Sequence, residues 1–134
     1  MDPLEAIRYA TEAYQLLLDY ARPNGIRVLV ENHGGFSNDG EWMVALHASL
    51  GDPLFGSYPD WREPMYGFDN VAYLNKVLPF AGGMSYRNQP TEEATASMIR
   101  MCMDAGYVGW YGIESFGRDA IRQGASLLHK HLGI

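Results

Sequence analysis

A chain of 134 residues, 47% apolar and 13% aromatic, is the size of one domain and has ample material for a packed core, which excludes a disordered ground state. Its 10 lysines and arginines stand against 16 aspartates and glutamates, a formal charge of −6, and the arginines are scattered from Arg8 to Arg122; no nucleic-acid partner is expected. No apolar run nears the roughly 18 residues of a membrane span, and the first residues lack a basic and apolar leader pattern, so no membrane partner is expected and the compartment predicted is cytoplasmic.

Asp2, Pro3 and Glu5 form a helix-start signal, and Leu4, Ile7, Thr11, Tyr14 and Leu18 follow at helical spacing, which predicts a helix over 3–21. Pro23, Asn24 and Gly25 mark a turn, and the β-branched run "IRVLVE" (26–31) predicts a strand. Asn38 and Glu41 are the capping pair expected to open a helix over 41–50, closed by Gly51. "LFGSYPD" (54–60) predicts a second strand, and "DNVAYLNKVL" (69–78) a helix capped by Asp69 and stopped by Pro79. "FAGGMSY" (80–86) predicts a third strand weakened by its glycines, 91–106 a long helix ending at Gly106, 109–115 a fourth strand, and 118–132 a last helix with basic side chains in its final turn. Cys102 is the only cysteine, so it has no internal disulfide partner, and its apolar flanks place it in the core.

Helices between every pair of strands imply parallel pairing through right-handed crossovers. The fold class expected is therefore α/β, with four parallel strands and five helices in one domain over 1–134, arranged either as part of a (β/α) barrel or as a small doubly wound sheet. No Gly-rich phosphate turn follows the first strand, which argues against a dinucleotide-binding sheet.

Glu31, Asp60 and Glu114 end the first, second and fourth predicted strands, about one and then two crossover units of roughly 30 residues apart. The carboxyl ends of parallel strands share one face, so these acids converge there. Clustered acids repel one another unless a cation lies between them, and convergent oxygens suit a divalent ion such as Mn²⁺, Mg²⁺ or Zn²⁺. The bland alternative is that each acid caps the next helix or pairs with a nearby arginine.

"VLVENHGGFSND", "GSYPDW" and "DAGYVGWYGIES" resemble the sugar phosphate isomerase/epimerase superfamily, the xylose isomerase-like TIM barrels that also include endonuclease IV. The resemblance runs over nearly the whole chain and corresponds to the C-terminal half of such a barrel. It implies one divalent metal held by Glu, Asp, His and Glu at successive strand ends. Glu31, Asp60 and Glu114 match three of these positions, with Glu31 and Glu114 doubling as the catalytic acid and base. Ser85 stands where the histidine is expected, and Ser85 or His33 are the alternatives for the fourth ligand. The implied reaction is isomerisation or epimerisation of a small-molecule sugar, sugar phosphate or keto-sugar by proton abstraction next to a carbonyl, through a metal-stabilised enediolate. His33, Trp61, Arg62, Tyr86 and Arg87 are the expected substrate contacts, together with Glu63. Phe36, Tyr58, Trp61, Trp110 and Phe116 could wall a sugar ring, although Trp110 is expected mainly as core. Endonuclease-type chemistry is disfavoured by the acidic balance and the scarcity of histidine ligands.

A half barrel leaves open edges and a bare inner layer, so the chain is expected to pair with a second copy as a homodimer, or with a complementary half-barrel chain. The reading from another class is a noncatalytic fragment or an assembly subunit of a split barrel.

Overall fold

The computed structural model describes residues 2–62 and 67–134. Glu63 lies outside the described residues. Helices and strands alternate throughout: α1 (Pro3–Ala21), β1 (Val28–Glu31), α2 (Gly40–Leu50), β2 (Phe55–Tyr58), α3 (Asn70–Val77), β3 (Met84–Tyr86), α4 (Glu92–Asp104), β4 (Tyr111–Ile113) and α5 (Arg118–Leu132). None of these helices is long and apolar enough to cross a membrane.

Local chemistry sets the boundaries. The Asp2 carboxylate accepts from the Leu4 and Glu5 amides at 3.0 and 3.2 Å, and Pro3 follows in the first turn, where its missing N–H costs nothing. Asp69 and Thr91 cap α3 and α4 in the same way. At α2 the cap is Asp39 rather than the expected Asn38. Asp39 is extended, and its carboxylate takes the Glu41 and Trp42 amides at 2.9 and 3.3 Å, while Asn38 ends a short 3-10 turn over Gly35–Asn38. The α1 stripe also departs from expectation at one point: Leu18 is fully buried, but Leu4 is 77% exposed.

The strands are parallel, as the alternation requires. β1 pairs with β2 from Val28↔Phe55 to Glu31↔Tyr58, and β3 with β4 from Met84↔Tyr111 to Tyr86↔Ile113. They form two small sheets, joined among the described residues by the bridges Ser57↔Ala81 and Asp60↔Ser85. Pro59 has no N–H to give to a ladder, and the third strand begins only after Gly82 and Gly83, later than the expected residue 80. What survives between the sheets is three backbone bonds, from Gly82 to the Ser57 carbonyl, from Ser85 to the Pro59 carbonyl and from Trp61 to the Ser85 carbonyl, each 2.9 Å. The described strands close no barrel.

The helices cover one face of the strands. Leu18, Val30, Met43, Leu46, Phe55, Tyr73 and Val77 form one core group around β1 and β2. A second, around β3 and β4, contains Trp61, Leu74, Met84, Tyr86, Ile99, Cys102 and Leu128. Cys102 is fully buried there, as expected, and burial pushes its thiol up to about 11. Alternation along each strand sends the other set of side chains to the opposite face: Leu29 and Glu31, Tyr58, Ser85, and Glu114 just past β4.

Candidate metal centre at the strand ends

One ligand atom each of Glu31, Asp60 and Glu114 lies within 4.8 Å of the other two. Oxygens bound to one divalent ion at about 2.0 to 2.6 Å stand up to about 5 Å apart, and the spacing of the trio falls within that limit. Asp60 is 2% exposed, whereas Glu31 and Glu114 are half-buried on the wall of an open pocket of about 420 Å³. His33, Tyr58, Ser85 and Gly112 share that wall.

The backbone holds the acids in place through ordinary polar chemistry. Asn32, fully buried beside Glu31, clamps the segment after β2: its Nδ2 donates to the Asp60 carbonyl at 2.9 Å and its Oδ1 accepts from the Asp60 amide at 2.7 Å. The Glu114 amide donates to the Tyr86 carbonyl at 2.9 Å, which extends the β3–β4 ladder by one step and fixes where that carboxylate begins. After Glu31 the chain turns through Gly34 and Gly35, both at positive φ, so here the paired glycines serve the turn.

The carboxylates already have partners. Arg87 Nε donates to Asp60 Oδ1 at 2.9 Å, and its Nη2 donates to Glu114 Oε1. The Ser85 hydroxyl donates to Glu114 Oε2 at 2.7 Å. Asp60 Oδ2 is buried without a hydrogen-bond partner among the described residues, with Arg62 Nε 3.8 Å away. Glu31 has no side-chain hydrogen bond or ion pair among the described residues. The residues thus offer three oxygens suited to a divalent cation, with Ser85 in place of an imidazole and a guanidinium already seated on two of the three acids.

The remaining sequence-predicted residues divide by strand parity. His33 reaches the pocket wall. Arg62 lies near it, its Nη1 donating to the Asn32 carbonyl at 3.0 Å. Trp61 and Tyr86, expected to touch substrate, are instead fully buried on the helix side, packed ring against ring with centroids 5.1 Å apart. The Tyr86 hydroxyl is occupied by Asn88 at 2.7 Å. Trp110, expected as core, is 85% exposed, because it shares the parity of Glu114 and so lies on the face of the strands that the helices leave uncovered. Phe116 is likewise exposed, and Phe36 stacks on Trp42.

Sequence reasoning assigns Tyr58 only to an apolar wall, yet it is a polar member of the site. Its ring lies where a Cβ on Gly83 would come within 2.8 Å, and its hydroxyl where a Cβ on Gly112 would come within 2.7 Å, so only glycines let it lie across the strands. Burial raises its phenol above the ordinary value, and the charges of Glu31, Glu114 and Asp60 add to the rise, which keeps it a neutral donor. The signal for it is parity: Tyr58 stands two residues before Asp60. Asn32 is the other residue missed.

Neither a scan against protein-family models nor a search of curated proteins finds a match for this chain.

Proposed function

We propose that the strand-end acids bind a divalent cation and that the protein is a sugar isomerase or epimerase of the xylose isomerase-like kind, built as the C-terminal half of such a barrel and acting on a sugar, sugar phosphate or keto-sugar. The observation that carries this reading is the convergence of Glu31, Asp60 and Glu114 from three different strand ends beside an open pocket. A volume of about 420 Å³ suits a small sugar. A cation held by the three carboxylates would supply positive charge where an oxyanion develops. Glu31 and Glu114 remove and return the proton next to the carbonyl, Asp60 serves as ligand only, and the Tyr58 hydroxyl and His33 orient the sugar. Arg62, which donates to the Asn32 carbonyl and lies 3.8 Å from Asp60, is the proposed partner of a substrate phosphate.

The test is deuterium exchange from D₂O into the carbon next to the carbonyl of candidate ketoses, followed by NMR with Mn²⁺ present. Glu114→Gln is expected to slow exchange by about 10² to 10⁴-fold while the circular dichroism spectrum stays unchanged. Exchange that is absent for the wild type across free, phosphorylated and keto-sugars contradicts the reading.

Ser85 in the histidine position and the ion pairs of Arg87 favour one second reading, a noncatalytic binding or assembly subunit of a split barrel. It predicts that Glu114→Gln binds the same ligands as the wild type. Either reading accommodates association with another copy or a complementary half-barrel chain: Leu16 and Tyr20 of α1 are exposed, as are Ile26 before β1, Val108 and Trp110 before β4, and Phe116 after it. Sedimentation velocity at two concentrations separates a dimer from a monomer.

A further inference from the structure

The guanidinium of Arg87 bridges two acids that come from different strands, Asp60 after β2 and Glu114 after β4, and it does so from the strand between them. Its side chain is only 17% exposed, so this is a seated group and not a surface contact. The arrangement leaves one buried acceptor, Asp60 Oδ2, without a hydrogen bond, and leaves Glu31 with no ion pair among the described residues. Arg62 Nε lies 3.8 Å from that oxygen, an ion pair too long for a hydrogen bond, so two guanidinium groups face three carboxylates and the oxygen still lacks a close donor or cation.

We propose that Arg87 is the resident cation of this cluster and that a divalent metal ion binds only by displacing it, so that the same three acids alternate between an arginine-closed and a metal-loaded state. The inference rests on the metal reading of the site and adds a competitor to it. A dication between the three carboxylates would lie within a few ångströms of the guanidinium, since both use Asp60 and Glu114, and like charges at that distance in a half-buried site repel strongly. The guanidinium fork is specific for carboxylates, which makes the closed state well defined. A metal that binds only the open state has its apparent affinity reduced by the fraction of molecules that are open. Removing the arginine removes that reduction.

Displaced Arg87 remains tethered at the rim by the short link from β3, beside the pocket that the sugar would occupy. The closed state then guards a cluster of unscreened acids in the absence of metal, and the open state presents a cation to substrate. Ser85, donating to Glu114 from the neighbouring position, holds that carboxylate in place in either state.

The experiment is a Mn²⁺ titration, read by the electron paramagnetic resonance signal of free Mn²⁺, on the full chain and its Arg87→Ala and Arg87→Lys variants. Arg87→Ala is expected to bind one Mn²⁺ at least about ten-fold more tightly than the wild type, and Arg87→Lys, which keeps the charge but loses the fork, to fall between them. Millimolar guanidinium ion should weaken Mn²⁺ binding to Arg87→Ala and leave the wild type unaffected. Wild-type binding that is unchanged or weaker in both variants overturns the competition while leaving the metal site standing. No binding by the wild type or either variant overturns the metal reading itself. If Arg87→Ala fails to fold, as judged by circular dichroism, Arg87→Lys decides alone: a tightening of a few-fold supports the proposal, and none overturns it.

Discussion

On the helix side of the strands Val30, Phe55, Met84 and Tyr86 are each buried, while on the other side Glu31, Tyr58 and Glu114 keep part of their surface in water. The two faces also treat polarity differently. The helix side buries neutral polar groups, such as the Ser57 hydroxyl donating to the Val77 carbonyl at 3.1 Å, whereas the other side gathers three acids and an arginine. The difference teaches that stability and chemistry are separated by strand parity: one set of alternating residues holds the fold, and the set between them is free to carry charge. Two tryptophans make the contrast concrete, since Trp61 is fully buried and Trp110 is 85% exposed.

Replacing Trp61 by alanine is expected to have the largest effect on this contrast, lowering the unfolding free energy by about 3 kcal/mol in a urea titration. That figure is at the low end for a buried tryptophan because the Trp61 indole N–H has no hydrogen-bond partner to lose among the described residues. Asn32→Ala comes next. It strips two hydrogen bonds from the buried Asp60 backbone, so a loss of about 2 kcal/mol is expected, together with a broadened Asp60 environment in NMR spectra. An unchanged midpoint for Asn32→Ala would mean that the clamp between the first two strand ends does not position the acids. Smallest is Trp110→Ala, expected to change the stability of the monomeric chain by no more than about 0.5 kcal/mol. A large loss with Trp110→Ala at high protein concentration alone would place Trp110 in a contact between copies.

The element order is legible in the sequence because polar caps and glycines punctuate it: Asp2 with Pro3, Asp69, Gly51 and Thr91 each occupy a helix end. Boundaries are less legible where two neighbours compete for one role. Asn38 and Asp39 are both competent caps, and only the extended backbone at Asp39 decides between them. The glycines within 80–86 signal a weakened third strand, but its late start at Met84 depends on Gly82 donating across to the Ser57 carbonyl, a partner that lies outside that stretch.

The acids of the site are legible because a carboxylate at the end of an apolar run is unusual, and parallel strands bring such ends together. Trp61 and Tyr86 are misread because proximity in sequence to Asp60 and Arg87 is not proximity in space: each is one residue out of phase with the site face. Arg87 is legible as a site residue but not as a bridge, since its two carboxylates come from strands on either side of its own. Asn32 acts through a buried amide whose partner, 28 residues away, becomes visible only once β1 and β2 are paired.

The claim at the centre of this account is that Glu31, Asp60 and Glu114 share one divalent cation. A crystal structure of the protein grown with Mn²⁺, with anomalous data, tests it most directly. A shared cation gives a single anomalous peak about 2.0 to 2.6 Å from all three carboxylates, with Arg87 swung away from Asp60 and Glu114. Well-ordered crystals with no peak there, and the guanidinium still bridging the two acids, would contradict it.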